Sequence, residues 1–292
     1  MATSPLNLKS NYHARSNSLP SKPHPLILQC NEHLARLEAS DATSSSSSLF
    51  SHKLSCLQDL HDTVEKLIQL PHTQEVLVQE CHVDELLDGS LRLLDVCTAG
   101  KDALLHTKEC TRELQSIMRR RRGGEVEITA EVRKYLASRK VVRKAVIKAL
   151  GNLKGDASKS KFSSSNKDHQ TMALLGLLKD VEVATLSVFE SLLKFISGPT
   201  QSKASNWSLV SKLMQAKRVA YTQESDENEF AKVDAVLQSF VFHMTSKSDS
   251  IDHLQNQLEN LESCIQDFVE VLETLFRRFI KTRVALLNIL NH

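Results

Sequence analysis

Between residues 251 and 289 apolar side chains recur with a period of seven: Ile251, Leu254, Leu258, Leu261, Ile265, Phe268, Leu272, Leu275, Phe279, Leu286 and Ile289, with only Thr282 breaking the row. No Gly or Pro interrupts the stretch from Ile251 to His292. Such a row predicts one long helix with a continuous apolar seam, the pattern of a coiled coil. At about 1.5 Å per residue the helix extends roughly 60 Å. The seam must be buried, and two features favour burial within the same chain over a two-stranded dimer. Phe268, Phe276 and Phe279 are bulky for a narrow zipper, and Leu286, Leu287, Ile289 and Leu290 broaden the apolar face at the end. The expectation is a central spine of an intramolecular bundle.

The upstream pattern supplies partners for that spine. Pro25 opens a helical spacing through Leu26, Ile27, Cys30, Leu34 and Leu37. A polar break at Thr43 to Ser48 precedes a second helix from about Leu49 to Leu70, ended by Pro71. A short turn at Thr73 to Gln79 leads into a long helix from Val83 to Arg122, which Gly100 is expected to bend or weaken and Gly123-Gly124 to stop. From Thr129 to Lys154, the residues Val132, Tyr135, Val142, Val146, Ala149, Leu150 and Leu153 share about one third of a helical wheel. Further helices are predicted at Asp168 to Ile196, Trp207 to Thr222 and Asn228 to Thr245. The reading is all-α: an elongated antiparallel bundle spanning 25–292 with an internal Ser/Lys linker at 155–167, after a disordered Ser/Pro-rich tail at 1–24.

Composition agrees. Four of the six Pro lie in the first 25 residues, so the rest is nearly free of helix breakers. The six Cys show no C-x-x-C spacing, which fits free thiols in a reducing, intracellular setting. No run of 18 apolar residues spans a bilayer, which points to a cytoplasmic or peripherally membrane-associated protein. The Ser-rich N-terminus without an acid before Glu32 also suits a transit peptide and keeps the plastid as a minority alternative.

Charge changes the picture more. The net charge is only +2, yet Arg119 to Lys161 hold fourteen Lys and Arg against four acids. Within it, Arg119, Arg120, Arg121, Arg122, Arg133, Lys140, Lys144 and Lys148 form a candidate basic surface. An anionic membrane fits this segment better than nucleic acid, because Tyr135 within it and Phe162 just past it are the only aromatics for stacking. A solvated bundle face pairing with Glu224, Asp226, Glu227 and Glu229 is the simplest alternative. Catalytic signatures are absent: there is no P-loop, G-x-S-x-G, G-x-G-x-x-G or H-E-x-x-H, so no enzyme activity and no cofactor are expected. Asp102, His106 and Cys110 share a helix face, but about 12 Å of axial rise separates the first from the last, so no metal site is expected. In the tail, Arg15, Ser16, Ser18 and Pro20 match a basophilic phosphosite of the kind read by 14-3-3-type proteins, with Ser18 the phosphate carrier.

Several landmarks occur together: the tail from Tyr12 to Pro25, the Leu114-Gln115-Ser116 step running into Arg119 to Arg122, and the closing Leu275 to Arg278 and Arg283 to Leu290. In combination they resemble the plant BYPASS-like family over almost the whole chain. The Arg run followed by Gly123-Gly124 departs from that pattern. The resemblance implies a plant helical protein linked to root and shoot development, including restraint of a root-derived signal that arrests shoot growth. It brings no catalytic residues. The function expected is therefore that of a non-enzymatic interaction protein with unidentified protein partners, and the alternative is a peripheral membrane protein using the basic surface on anionic lipid.

Overall fold

The computed structural model describes residues 24–40, 46–79, 83–120, 125–157, 169–198, 228–243 and 248–291. Among them are eight helices and no strand: α1 (Pro25–Ala39), α2 (Ser47–Ile68), α3 (Pro71–Gln79), α4 (Val83–Arg120), α5 (Glu125–Ala157), α6 (His169–Ser197), α7 (Glu229–His243) and α8 (Ser248–Leu290). Residues 1–23 of the expected tail and the helix expected at Trp207 to Thr222 lie outside the described residues. Several boundaries move. Helix α5 begins at Glu125, ahead of the expected Thr129, and continues to Ala157, into the expected linker; α8 begins at Ser248; and Pro71 both follows α2 and opens α3. Proline is at home in a first turn, where its missing N–H would be unpaired anyway.

Helix α8 is the spine. Of its eleven apolar seam residues, all but the half-buried Ile251 are buried. It lies between α4 and α2. Contacts with α4 run in opposite directions, from Arg119–Glu259 and Arg112–Glu262 through Lys101–Glu273 to Ser90–Arg283, so these two helices are antiparallel along most of their length. Contacts with α2 run the same way, Gln58 to the Val271 carbonyl, Asp62 to Arg278 and Glu65 to Lys281, so α2 and α8 are parallel. Helices α4 and α5 form an antiparallel hairpin, with Glu113 beside Lys134 and His106 beside Ser138. At about 1.5 Å per residue, helices of 38 and 43 residues make an elongated bundle. Helix α4 runs through Gly100 unbroken, and Leu272 of α8 packs there at a distance that a Cβ would meet in ordinary contact.

Local chemistry fixes the ends. The Ser46 hydroxyl accepts from Leu49 N–H at the start of α2, and His24 Nδ1 accepts from Leu26 N–H at the start of α1. Helix α6 stops at Gly198, whose φ of +70° suits a residue without a side chain. An aromatic cluster of Phe50, Phe195, Phe230 and Phe268 ties α2, α6, α7 and α8 together beside that stop.

Candidate functional site

Helix α5 carries cations on two faces with different fates. On its outer face Arg133, Lys140, Lys144 and Lys148 are all exposed, and none makes an ion pair among the described residues. Helical spacing puts the four within about a quarter of the circumference, over roughly 22 Å of axis. Two apolar side chains share this surface: Val141 is 60% exposed and Ile147 is 55% exposed. Lys134 is different, since it pairs with Glu113 and Glu131. Of the acidic neighbours proposed from sequence, Glu229 accepts from Ser47 Oγ instead, and Glu224, Asp226 and Glu227 lie outside the described residues. Tyr135 points inward and is buried, so it offers no stacking face.

The other expected cations are not part of this stripe. Arg119 pairs with Glu259 and Arg120 donates to Ser116 Oγ at the end of α4, while Arg121 and Arg122 lie outside the described residues. The tail motif Arg15, Ser16, Ser18 and Pro20 also lies outside them. His106 Nε2 and Cys110 Sγ both meet Ser138 Oγ, and no group of three potential ligands for a metal occurs among the described residues.

On the inner face of α5, Arg139 and Arg143 enter the core. Arg139, 1% exposed, donates from Nε and Nη2 to the Asp234 carboxylate at 3.1–3.3 Å and from Nη2 to the Ile196 carbonyl at 2.7 Å. Its guanidinium also lies over the Phe230 ring, 5.2 Å from the centroid. Arg143 donates to Asp234 at 2.7 Å and to the Ser197 carbonyl at 2.7 Å. The Phe195 carbonyl receives Asn228 Nδ2 and Gly198 N–H, so the last three carbonyls of α6 are all satisfied. Two guanidiniums at a helix C-terminus also complement its dipole. Asn228 accepts from Phe230 N–H and so caps α7 in the same stroke. This network joins α5, α6 and α7 and was missed from sequence. The signal was available: Arg139 falls between Val132 and Val146 on the apolar arc of α5, and Asp234 sits one turn on from Phe230, at the edge of the apolar arc of α7.

A cavity of about 50 Å³ opens where α2, α4, α6 and α8 meet. Its wall is mostly hydrocarbon, from residues such as Val64, Leu93, Leu178 and Phe279, with His61 and Thr282 among the exceptions. Proton bookkeeping assigns the histidine tautomer. Thr185 Oγ1 donates to the Val181 carbonyl at 2.7 Å, so it accepts from His61 Nε2–H at 2.9 Å. His61 Nδ1 is then a bare acceptor, buried and without a partner, as is the hydroxyl of Thr282. Each such unmade bond costs about 1–3 kcal/mol. Burial, helped by the positive charge of Arg278, lowers the His61 pKa to about 3, so the ring is neutral. Glu182 also lines the cavity, with Ser90; it binds Arg92 and Lys179, and it reaches them across Gly89, where a Cβ would lie 2.8 Å from its carboxyl carbon. Thr282 is the one polar break in the heptad row, and its place on this wall is what the break marks.

No helix among the described residues is long and apolar enough to cross a membrane. The family model described as Protein BPS1 matches residues 53–289. Neither the curated proteins nor the solved structures contain a match to the chain.

Proposed function

The chain belongs to the BPS1 family, and from that premise we propose a non-enzymatic regulatory protein of plant root and shoot development that restrains a root-derived, shoot-arresting signal. Membership itself implies a role in plant development. In our reading the bundle is a scaffold and the outer face of α5 is its docking surface for an anionic partner. One observation carries this: Arg133, Lys140, Lys144 and Lys148 form an exposed stripe of one sign, left unneutralised among the described residues. Such a stripe raises the local concentration of an anionic partner and speeds its encounter. The test is affinity purification of the full chain from plant extract beside Lys140→Glu/Lys144→Glu/Lys148→Glu. Specific partners are expected to be lost from the variant while its circular dichroism stays unchanged. Recovery of the same partners by both proteins would sink the reading.

A second reading is favoured by Val141 and Ile147, which project among the cations. A helix face combining cations with exposed apolar groups suits the headgroup region of an anionic membrane. Co-sedimentation with vesicles distinguishes the two. Binding that grows with phosphatidylserine content and falls with salt places the protein peripherally at a membrane; binding indifferent to lipid charge removes this reading. A third element is the tail. Phosphorylation at Ser18, in the frame of Arg15, Ser16 and Pro20, would create a ligand for a 14-3-3-type reader. Undiminished capture of such a reader by Ser18→Ala would dispose of it.

A further inference from the structure

The α4–α8 seam changes character at the C-terminal end of α4. Earlier along it, Lys101 meets Glu273 and Lys108 meets Gln266, one cation to one partner. In the last turns of α4 three arginines crowd one face. Arg112, Arg119 and Arg120 lie within about 100° of the helical wheel, over roughly 12 Å of axis. With Gln115, Ser116 and Glu262 they line a cleft of about 450 Å³. Arg112 Nε donates to Glu262 at 2.6 Å, Arg119 Nη2 to Glu259 at 3.0 Å, and Arg120 Nη2 to the neutral Ser116 Oγ at 2.9 Å. Two carboxylates thus answer three guanidiniums. All three arginines are exposed, and the side chains of Arg112 and Arg119 keep 61% of their surface in solvent, so a ligand from outside can reach them. Ion pairs this exposed hold weakly, and the arginines can turn to a stronger acceptor.

The wall also limits what that acceptor is. Each guanidinium has five N–H donors, and the described residues take one from each. What is left exceeds the three oxygens of a single phosphate. The last carbonyls of α4 add partial negative charge, so an anion stays only where several guanidiniums hold it at once. None of the six lining residues is aromatic or aliphatic, so a nucleoside base finds no stacking face. Glu262 only accepts; it keeps Arg112 and has lone pairs for a hydroxyl. The Ser116 hydroxyl donates and accepts, and Gln115, 3% exposed, backs the wall. We propose that this cleft binds a phosphorylated polyol with two or more neighbouring phosphates, the chemistry of an inositol phosphate, with the phosphates on Arg112, Arg119 and Arg120 and a ring hydroxyl on Glu262. The site shares no residue with the α5 stripe, so it stands independently of the docking role.

Calorimetric titration of the full chain compares inositol trisphosphate with magnesium-free ATP, which carries a similar charge. The trisphosphate is expected to bind saturably, one to one, about tenfold or more tighter than ATP, and to weaken as salt is added. Arg112→Gln/Arg119→Gln alters exposed side chains and should weaken it about tenfold with the melting midpoint unchanged. Lys140→Glu/Lys144→Glu/Lys148→Glu should keep the affinity within about threefold, because the stripe is a separate surface. Co-sedimentation with phosphatidylcholine vesicles containing phosphatidylinositol bisphosphate identifies the source. Capture that free trisphosphate reverses assigns a lipid headgroup, and binding of the free compound without capture assigns a soluble one; either upholds the proposal. Equal affinity for ATP, no saturable binding, full affinity in the arginine variant, or loss of affinity with the α5 variant instead would overturn it. The comparison with ATP needs no variant and stands should a substitution disturb folding.

Discussion

Asp234 offers the sharpest test of how the bundle is held. Its carboxylate is buried, and it faces two guanidiniums: Arg139, itself buried, and Arg143, about a quarter exposed. Asp234→Ala leaves the Arg139 charge in the core with the Ile196 carbonyl at 2.7 Å, a long contact to Thr107 at 3.5 Å and the face of Phe230, but no counter-charge. Removing one partner of a buried pair costs about 3–5 kcal/mol. Arg139→Ala should cost less, about 2–4 kcal/mol, because Asp234 keeps Arg143; the loss is packing plus an orphaned carbonyl. The double replacement Arg139→Met/Asp234→Leu removes both charges and fills the space. It should be about 1–3 kcal/mol more stable than Asp234→Ala alone, with the Ile196 carbonyl as its remaining deficit. Urea unfolding followed by far-ultraviolet circular dichroism measures all four proteins, and an unchanged m-value validates the comparison. A cost below about 1 kcal/mol for Asp234→Ala would mean the pair is not desolvated. A double replacement no more stable than Asp234→Ala alone would mean the two charges do not depend on each other, and the account of the α5–α6–α7 junction would fall.

Three further outcomes are expected. The folded His61 pKa of about 3 lies below its ordinary 6.5, so the unfolded chain binds the extra proton. Its contribution to stability is complete above pH 6.5 and is lost as pH falls toward 3, approaching about 1.4 kcal/mol per pH unit near pH 5. Unfolding titrations at pH 7 and about pH 5 should show this slope, and His61→Phe should flatten it, since Thr185 keeps its bond to the Val181 carbonyl. Gly151 and Gly176 lie inside helices with open space at the Cβ position, so each change to Ala should stabilise by about 0.5–1 kcal/mol, whereas Gly198→Ala should destabilise because its φ is +70°. Thermal melts would check all three, and a lower midpoint for Gly151→Ala would contradict the propensity argument. Burial pushes the thiol of Cys97 up to about 12, so iodoacetamide at about pH 8 should leave it unmodified until the chain unfolds; mass-spectrometric mapping that finds it labelled in the folded protein would contradict its burial.

The contrast between residues read correctly from sequence and those missed has a physical cause. A periodic apolar row tells a helix which face to bury, whatever the partner, so the α8 seam and the α5 face were legible residue by residue. The exposed cations of α5 followed from the same wheel, as its complement. A partner across the bundle is another matter. Arg139 meets Asp234, and His61 meets Thr185, across 95 and 124 residues of sequence, and nothing local in either segment states that pairing. What each segment does state is a violation. A guanidinium, a carboxylate, an imidazole or a hydroxyl occupies a place where periodicity calls for hydrocarbon, and burial there is costly unless the group is answered. Arg139 and Asp234 answer each other, and the α6 carbonyls take what remains. His61 and Thr282 break the same rule and are left with one unanswered atom each, on one cavity wall. The breaks in the pattern therefore separate into two kinds only once the fold is known: those that close a junction of the scaffold, and those, such as His61 and Thr282, that keep one buried atom without a partner among the described residues.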